Sequence, residues 1–291
     1  MKVEILNPHG YCQGVKRAIS IALDAANNKD LPKPIYVLGN LIHNKIVSAS
    51  LEKKGIITIN ENGRSRLQML DDIKEGTVIF SAHGVSNKVR EKAKEKKLNI
   101  IDASCGKVLL IHKKILEYLE KGYEIFYIGK KNHPECEAIL EENKNIHLIT
   151  CKNDIDSTNI HNNLIYVTNQ TTLSNIETKE IYDYIKLKYP QAFLDNNICN
   201  ATTQRQNAIL NSKGFDACIV VGDVISSNSK RLSEIAEYKG MKSYLIENSS
   251  EISSEILKYD NILLTSGAST PENVLEDVYK SILALKNQKD V

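Results

Sequence analysis

Long hydrophobic runs, paired cysteines and any large excess of charge are all missing from this chain. Its longest apolar runs have strand length, well short of the ~18 residues of a membrane-spanning helix. The net charge is +2 over 291 residues, so nothing global points to nucleic acid or to an anionic membrane surface. Met1 leads within two residues into an expected strand, with no charged-then-apolar leader. These absences give the expectation of a cytoplasmic chain with neither a membrane nor a nucleic-acid partner. Six cysteines are too sparse for a disulfide framework at this length, and no CxxC pair exists, which weighs against a zinc ribbon or a thioredoxin-type motif. With 42% hydrophobic and 25% charged residues, the balance is that of an ordinary globular chain, long enough for two ordinary domains or three small ones.

What is present is a repeat. Cys12 lies between Gly10 and Gly14, just after the short apolar segment Val3, Ile5, Leu6, and a helix-like run follows at once. Cys105 follows Ile100-Ile101 and precedes the run Lys107 to Leu119; Cys199 follows Phe193-Leu194 and precedes the run Ala201 to Leu210. The three cysteines recur at spacings of 93 and 94 residues. Three strand–Cys–helix junctions at one period imply three copies of one unit, each delivering a thiol to a common point.

Between the cysteines, strand-length apolar runs alternate with runs of helical periodicity. The first unit has strands expected at Ile35 to Leu38, Ile56 to Ile59, Thr77 to Phe80 and Leu98 to Ile101. Asn60 to Arg66 is polar and turn-like, a helix is expected over Leu67 to Ile73, and Ser86 caps the highly charged helix Asn87 to Lys96, whose charges form a solvated face. The second unit has strands at Glu124 to Ile128, Ile146 to Ile149, Leu164 to Val167 and Ala192 to Leu194, with Pro134 starting a helix. The third has Ala217 to Val221, Lys242 to Ile246 and Ile262 to Thr265, then a last helix from Glu272 to Leu285, and lacks a closing strand. The N-terminal segment Lys2 to Leu6 is expected to supply it. The predicted fold class is α/β: three small parallel-sheet domains in a pseudo-threefold trefoil around a central cluster. Their expected limits are 14–104, 105–195, and 1–13 with 196–281, leaving 282–291 as a tail. The runner-up is a single long doubly wound sheet.

Alignment of the units by strand order places polar loops at equivalent positions. After each first strand come Gly39-Asn40-Leu41-Ile42-His43-Asn44, Gly129-Lys130-Lys131-Asn132-His133-Pro134-Glu135, and Gly222-Asp223-Val224-Ile225-Ser226-Ser227-Asn228. After each third strand come Ala82-His83-Gly84, Asn169-Gln170-Thr171-Thr172 and Gly267-Ala268-Ser269. Loops at the carboxyl ends of parallel strands are where open α/β sheets bind ligands. These loops offer three histidines, hydroxyls, amides and the carboxylate of Glu135, with no dominant Lys or Arg clamp. Such a set holds an anion with the help of helix N-termini and backbone NH groups, and a diphosphate fits it.

Cysteines at helix N-termini favour thiolate, and thiolates select zinc, copper(I) or iron–sulfur clusters. A cubane usually takes four cysteines. Three, with no fourth on the repeat, leave one iron open as a Lewis acid that can also pass electrons to a substrate. Cys218, within the run CIVV, reads as a buried small residue. Cys151 reads as structural, and Cys136 is ambiguous beside the polar loop at His133. His9, His112, His147 and His161 read as surface or packing residues. His43, His83 and His133 gain weight only from their equivalent loops. Ser226, Asn228 and Ser269 fit helix capping and ligand binding equally well.

The motifs GYCQGVKRAI, HN at His43-Asn44, SAHGVS, NHPE, NQTTLS, CNATTQRQ, SSNS and GAS-P together resemble the LytB family of 4-hydroxy-3-methylbut-2-enyl diphosphate reductases, over residues 1 to about 281. Eight motifs in the family's order make the likeness specific. It implies an oxidoreductase of the methylerythritol phosphate route to isoprenoids. It implies one [4Fe–4S] cluster on three ligands, Cys12, Cys105 and Cys199, with an open apical iron that takes the substrate hydroxyl. His43, His83, His133, Thr171, Ser226, Ser227, Asn228 and Ser269 would bind the allylic diphosphate, and Glu135 would be the proton source. Electrons would come from a flavodoxin or ferredoxin, and isopentenyl and dimethylallyl diphosphates would be the products. The chain departs from the family pattern at Gly106, where proline is usual after the second cluster cysteine, and mildly at Tyr11, where phenylalanine is common. Two other readings compete. A non-catalytic Fe–S anion sensor lacks the basic recognition helix, dimer heptad or effector domain it would need. A structural zinc site of three cysteines and a histidine lacks finger spacing. A cavity built within one chain gives the expectation of a monomer.

Overall fold

The computed structural model describes residues 2–59 and 63–287. The chain opens with strand β1 (Lys2–Ile5) and helix α1 (Gln13–Asn27). Strands β2 (Ile35–Leu38), β3 (Ile56–Ile59), β4 (Thr77–Phe80) and β5 (Asn99–Asp102) follow, with helices α2 (Lys45–Glu52), α3 (Arg66–Met69) and α4 (Asn87–Glu95) between them. Helix α5 (Gly106–Glu120) leads to β6 (Glu124–Ile128), α6 (Pro134–Leu140), β7 (Ile146–Ile149), α7 (Lys152–Ser157), β8 (Ile165–Asn169), α8 (Asn175–Lys188) and β9 (Phe193–Leu194). The rest comprises α9 (Asn200–Asn211), β10 (Ala217–Val221), α10 (Ser227–Tyr238), β11 (Lys242–Ile246), β12 (Asn261–Ser266) and α11 (Glu272–Asn287).

The strands form three four-stranded sheets, ordered β3-β2-β4-β5, β7-β6-β8-β9 and β11-β10-β12-β1. Every pairing is parallel. The three orders are one pattern, provided β1 counts as the fourth strand of the last sheet. It does so in register, Lys2 opposite Asn261 through Ile5 opposite Leu264. A single long sheet, the runner-up, is therefore not what forms.

Central strands read as continuous apolar runs because helices cover both faces of a parallel sheet. β4, β6, β8 and β10 are buried along their whole length. The helices bury one stripe each: α5 buries Val108, Ile111, His112 and Ile115, the i, i+3, i+4, i+7 spacing of a helix on a sheet. Serine N-caps fix the starts of α4 and α8, where Ser86 and Ser174 accept from Val89 N and Glu177 N.

Two compact units are distinguished. One comprises Met1–Gln13, His43–Lys45 and Cys199–Val291; the other comprises Gly14–Ile42 and Ile46–Ile198. The first holds the sheet that β1 completes, with Ile219, Val221, Leu264, Leu275 and Val278 in its core. The second holds the other two sheets, one centred on Val78, Phe80 and Val89, the other on Phe126, Val167 and Ile185.

Local departures have local causes. The helix expected over 67–73 is α3 followed by a tight 3-10 turn, Leu70–Asp72, and α3 starts at Arg66 because Ser65 and Gln68 form a reciprocal capping box. Of the turn expected at 60–66, residues 60–62 lie outside the described residues. Helix α7 was not expected, since Lys152–Ser157 holds one apolar residue, Ile155, and so shows no periodicity. The last helix continues through residues 282–287, and 288–291 of the expected tail lie outside the described residues. No helix among the described residues is long and apolar enough to cross a membrane.

Candidate active site

The predicted site residues divide between the two units. In the unit completed by β1, Cys12 stands on the loop after the fourth strand. The amide of Cys12 donates to Ala268 O at 3.1 Å, and that of Gly10 donates to Ser266 Oγ at 2.8 Å, so the loop is fastened to the end of β12. Gly10 has φ +68, a left-handed conformation that favours glycine. Cys199 is the N-cap of α9, and its Sγ lies 3.0 Å from Thr202 Oγ1. If Cys199 is a thiolate, the Thr202 hydroxyl is the donor in that pair.

Helix α10 presents a polar first turn in this unit. Ser226 is its N-cap and accepts from Ser229 N at 3.3 Å; capping therefore takes up an Oγ lone pair and leaves its hydrogen to donate elsewhere. Ser227 and Asn228 occupy the first turn and are buried, and the Asn228 side-chain amide nitrogen has no partner. Unpaired NH groups at a helix N-terminus form a seat for a phosphate. Two glycines let the helix approach the sheet. A Cβ on Gly222 or Gly267 would stand 2.3 or 2.1 Å from Ser229 Oγ, so both ends of the β10–β12 switch point must be bare. Ser269 Oγ donates to the His43 carbonyl at 3.0 Å, which places these two predicted residues side by side.

In the other unit, His83 and His133 lie edge to face with ring centroids 5.8 Å apart, one after β4 and one after β6. His133 caps α6, its Nδ1 accepting from Glu135 N at 3.2 Å. That bond leaves the proton of a neutral ring on Nε2. Cys105 caps α5, and its amide donates to Ala82 O at 3.0 Å, tying the thiol's loop to the loop of His83.

Glu135 is buried and held by three donors. It is 2% exposed and sits in the first turn of α6. Its Oε1 accepts from Thr171 N at 2.9 Å and from Tyr127 OH at 3.1 Å, and its Oε2 accepts from Thr171 Oγ1 at 2.8 Å. Burial pushes its pKa up to about 7, against the opposing pull of the bonds from Thr171 and Tyr127. A carboxyl poised there can deliver a proton near neutrality.

Several supporting residues were missed by sequence reasoning. Tyr127 on β6 looks like any aromatic core residue. Gln170, inside the NQTTLS motif, accepts from Lys130 N at 3.0 Å and from Cys136 Sγ at 3.4 Å and donates to Thr172 Oγ1 at 2.8 Å. It thereby stitches the His133 loop to the Thr171 loop. Cys136 is buried, with burial raising its thiol pKa, and a Cβ on Gly129 would stand 2.5 Å from its sulfur. Cys218 is a core residue and Cys151 is exposed. His112 is buried, and burial first and Arg90 second hold its pKa down to about 4, a neutral packing ring. Among the described residues no three His, Cys, Asp or Glu side chains converge as ligands of a single metal ion.

Gly106 occupies the first position of α5, and a Cβ there would meet nothing within 4 Å. The preceding Cys105 has φ −63 and ψ 133, the extended region a pre-proline residue requires. Gly106→Pro is therefore expected to raise stability by about 0.4–1 kcal/mol, measured as the urea midpoint at unchanged m-value. A lower midpoint would show that the Gly106 NH has a structural role.

The LytB protein family matches residues 3–283. A curated relative, 4-hydroxy-3-methylbut-2-enyl diphosphate reductase of Lysinibacillus sphaericus, is 45% identical over 282 residues, covering 96% of this chain and 87% of its own. Among solved structures, the E-1-hydroxy-2-methyl-but-2-enyl-4-diphosphate reductase from Plasmodium falciparum is similar at TM-score 0.88 and 35% identity, over 96% of this chain and 86% of that one. A second, described as (E)-4-hydroxy-3-methyl-but-2-enyl diphosphate reductase, the terminal enzyme of the non-mevalonate pathway, aligns at TM-score 0.68 and 28% identity over 97% and 99%. The repeated four-stranded sheets, the cysteine after each fourth strand and these matches along nearly the whole length agree: the chain belongs to the LytB family.

Proposed function

We propose that this chain reductively removes the hydroxyl of 4-hydroxy-3-methylbut-2-enyl diphosphate, giving isopentenyl and dimethylallyl diphosphates, the last step of the methylerythritol phosphate route. The relatives' names support the substrate. The observation that carries the chemistry is Glu135, a buried carboxyl with three donors and a pKa near 7. The balance is R–OH + 2 e⁻ + 2 H⁺ → R–H + H₂O. The C–O bond breaks, one proton leaves with the hydroxyl as water, and the second forms a C–H bond on the allyl fragment.

The proposed cluster ligands are Cys12, Cys105 and Cys199. The donor set fits a [4Fe–4S] cluster in kind: each thiol follows the fourth strand of its sheet, and Cys199 has a hydroxyl 3.0 Å from its sulfur. When bound, such a cluster with one open iron supplies electrons and polarises a bound hydroxyl. The residues of the chain do the rest. Ser226, Ser227, Asn228 and Ser269, with His43 and His83, hold the diphosphate, the α10 N-terminus bearing part of its charge, and His133 and Thr171 complete the substrate pocket. Glu135 carries the proton, and Thr171 and Tyr127 hold its carboxyl in place. Burial around Glu135 excludes water, which would otherwise level its pKa. The electron donor is a flavodoxin or ferredoxin, and the chain works as a cytoplasmic monomer.

Metal and acid-labile sulfide content of protein purified without oxygen tests this reading, together with turnover of the diphosphate. About four irons and four sulfides per chain are expected. Zinc without sulfide overturns the redox mechanism, and a full cluster without turnover favours an anion sensor.

A further inference from the structure

We propose that Arg205 tunes the electron affinity of the cluster, placing a buried positive charge beside two of its cysteine ligands and tying together the two segments that carry them. The inference rests on the cluster assignment above.

Arg205 lies on α9, less than two turns beyond Cys199, and is buried. Its Nη1 donates to the Ala201 carbonyl of its own helix at 2.9 Å. Its Nη2 reaches across to the loop of Cys12, donating to Gly10 O at 2.7 Å and approaching His9 O at 3.5 Å. One guanidinium thus spans the Cys199 helix and the Cys12 loop, segments nearly 200 residues apart in sequence. A second observation is independent of that tie. Arg205 Nε is buried and has no hydrogen-bond partner. Among the described residues no carboxylate pairs with this guanidinium; burial lowers its pKa, and the groups placed to oppose that, once they carry negative charge, are Cys12 and Cys199.

A buried cation without a counter-ion is costly. Two cysteine sulfurs held as thiolate ligands would supply the missing negative charge, and the unused Nε–H is a donor suited to sulfur. An arginine suits the role because its planar fork holds backbone carbonyls while its charge stays fixed. Net charge and hydrogen bonds to sulfur set iron–sulfur potentials. A nearby positive charge stabilises the reduced, more negative cluster, so Arg205 raises its midpoint potential.

The test uses the full chain reconstituted anaerobically with iron and sulfide, as wild type, Arg205→Gln and Arg205→Lys, with the midpoint potential read by a redox titration of the cluster spectrum. Arg205→Gln is expected to shift the one-electron reduction constant about tenfold toward the oxidised form, ~59 mV more negative. Arg205→Lys, which keeps the charge and loses the fork, is expected to recover at least half of that shift. A fully loaded Arg205→Gln protein with the wild-type potential overturns the proposal, as do equal shifts in the two variants, which would assign the effect to the lost tie. If the Gln variant loads poorly, retention in the Lys variant supports the charge and equal loss in both overturns it. Failure of the wild type to take up iron and sulfide would count against the cluster assignment itself.

Discussion

Glu135→Gln lowers turnover by about 10²–10⁴-fold, the span that a positioned general acid contributes, and leaves iron and sulfide content at the wild-type level. The substitution is nearly isosteric. The glutamine carbonyl can accept from Thr171 N and Tyr127 OH as Oε1 does, and the Thr171 hydroxyl can turn to accept from the new amide. What disappears is the ionisable proton. Full activity in the variant would remove Glu135 from the proton path.

The pH dependence carries the same assignment. With a pKa near 7 in the folded protein, Glu135 is protonated below neutrality, and turnover falls as pH rises through that value. Stability follows the linkage rule. The folded pKa is raised above the unfolded value of ~4.3, so this group's contribution is fully present below the unfolded pKa. It is lost progressively as pH rises to the folded pKa, on the order of 3 kcal/mol in all. Glu135→Gln has no carboxyl to ionise there. The variant's stability should decline less than the wild type's between pH ~4 and ~8, read from urea midpoints. Parallel profiles would show that Glu135 titrates near its ordinary value.

Cys105→Ser abolishes turnover and most of the bound iron and sulfide. The hydroxyl of serine is a hard, barely acidic ligand where the metal selects soft thiolate. Loss of fold is a weak alternative explanation at this position. Cys105 has N-cap dihedrals and no side-chain cap bond of its own, and serine is a favoured N-cap residue. The helix α5 should be as stable or more so, and far-ultraviolet circular dichroism of the variant should match the wild type. Normal iron and sulfide content in Cys105→Ser would sink the three-cysteine assignment.

The Gly106 departure also bears on how the thiol is presented. Proline at the first helical position pre-sets φ and removes an NH that has no helical partner. Glycine leaves the same turn with more freedom in the unfolded chain, which is a stability effect rather than a change of ligand. Cys105 keeps its backbone tie to Ala82 whichever residue follows.

The sequence by itself determined the repeat, the three parallel sheets, the placement of a cysteine after each fourth strand and the family, because each is written in local patterns. Apolar runs of strand length, helix starts such as Ser86 and Pro134, and glycines at strand ends depend on a few neighbouring residues. A near-equal period needs no knowledge of contacts. The short polar helix α7 escaped because one apolar residue makes no period. Only the tertiary structure decided the environments that give the site its chemistry. The register of β6 against β8 brings Tyr127 and Thr171 onto the Glu135 carboxylate, 8 and 36 positions away in the chain, and their burial raises its pKa. The closeness of α10 to its sheet explains why Gly222 and Gly267 carry no side chain. Arg205 spans 195 residues to reach the Gly10 carbonyl. Local propensity carries no information on which distant side chains will share a desolvated pocket. Desolvation and long-range hydrogen bonds, not residue identity alone, set pKa values and buried charge.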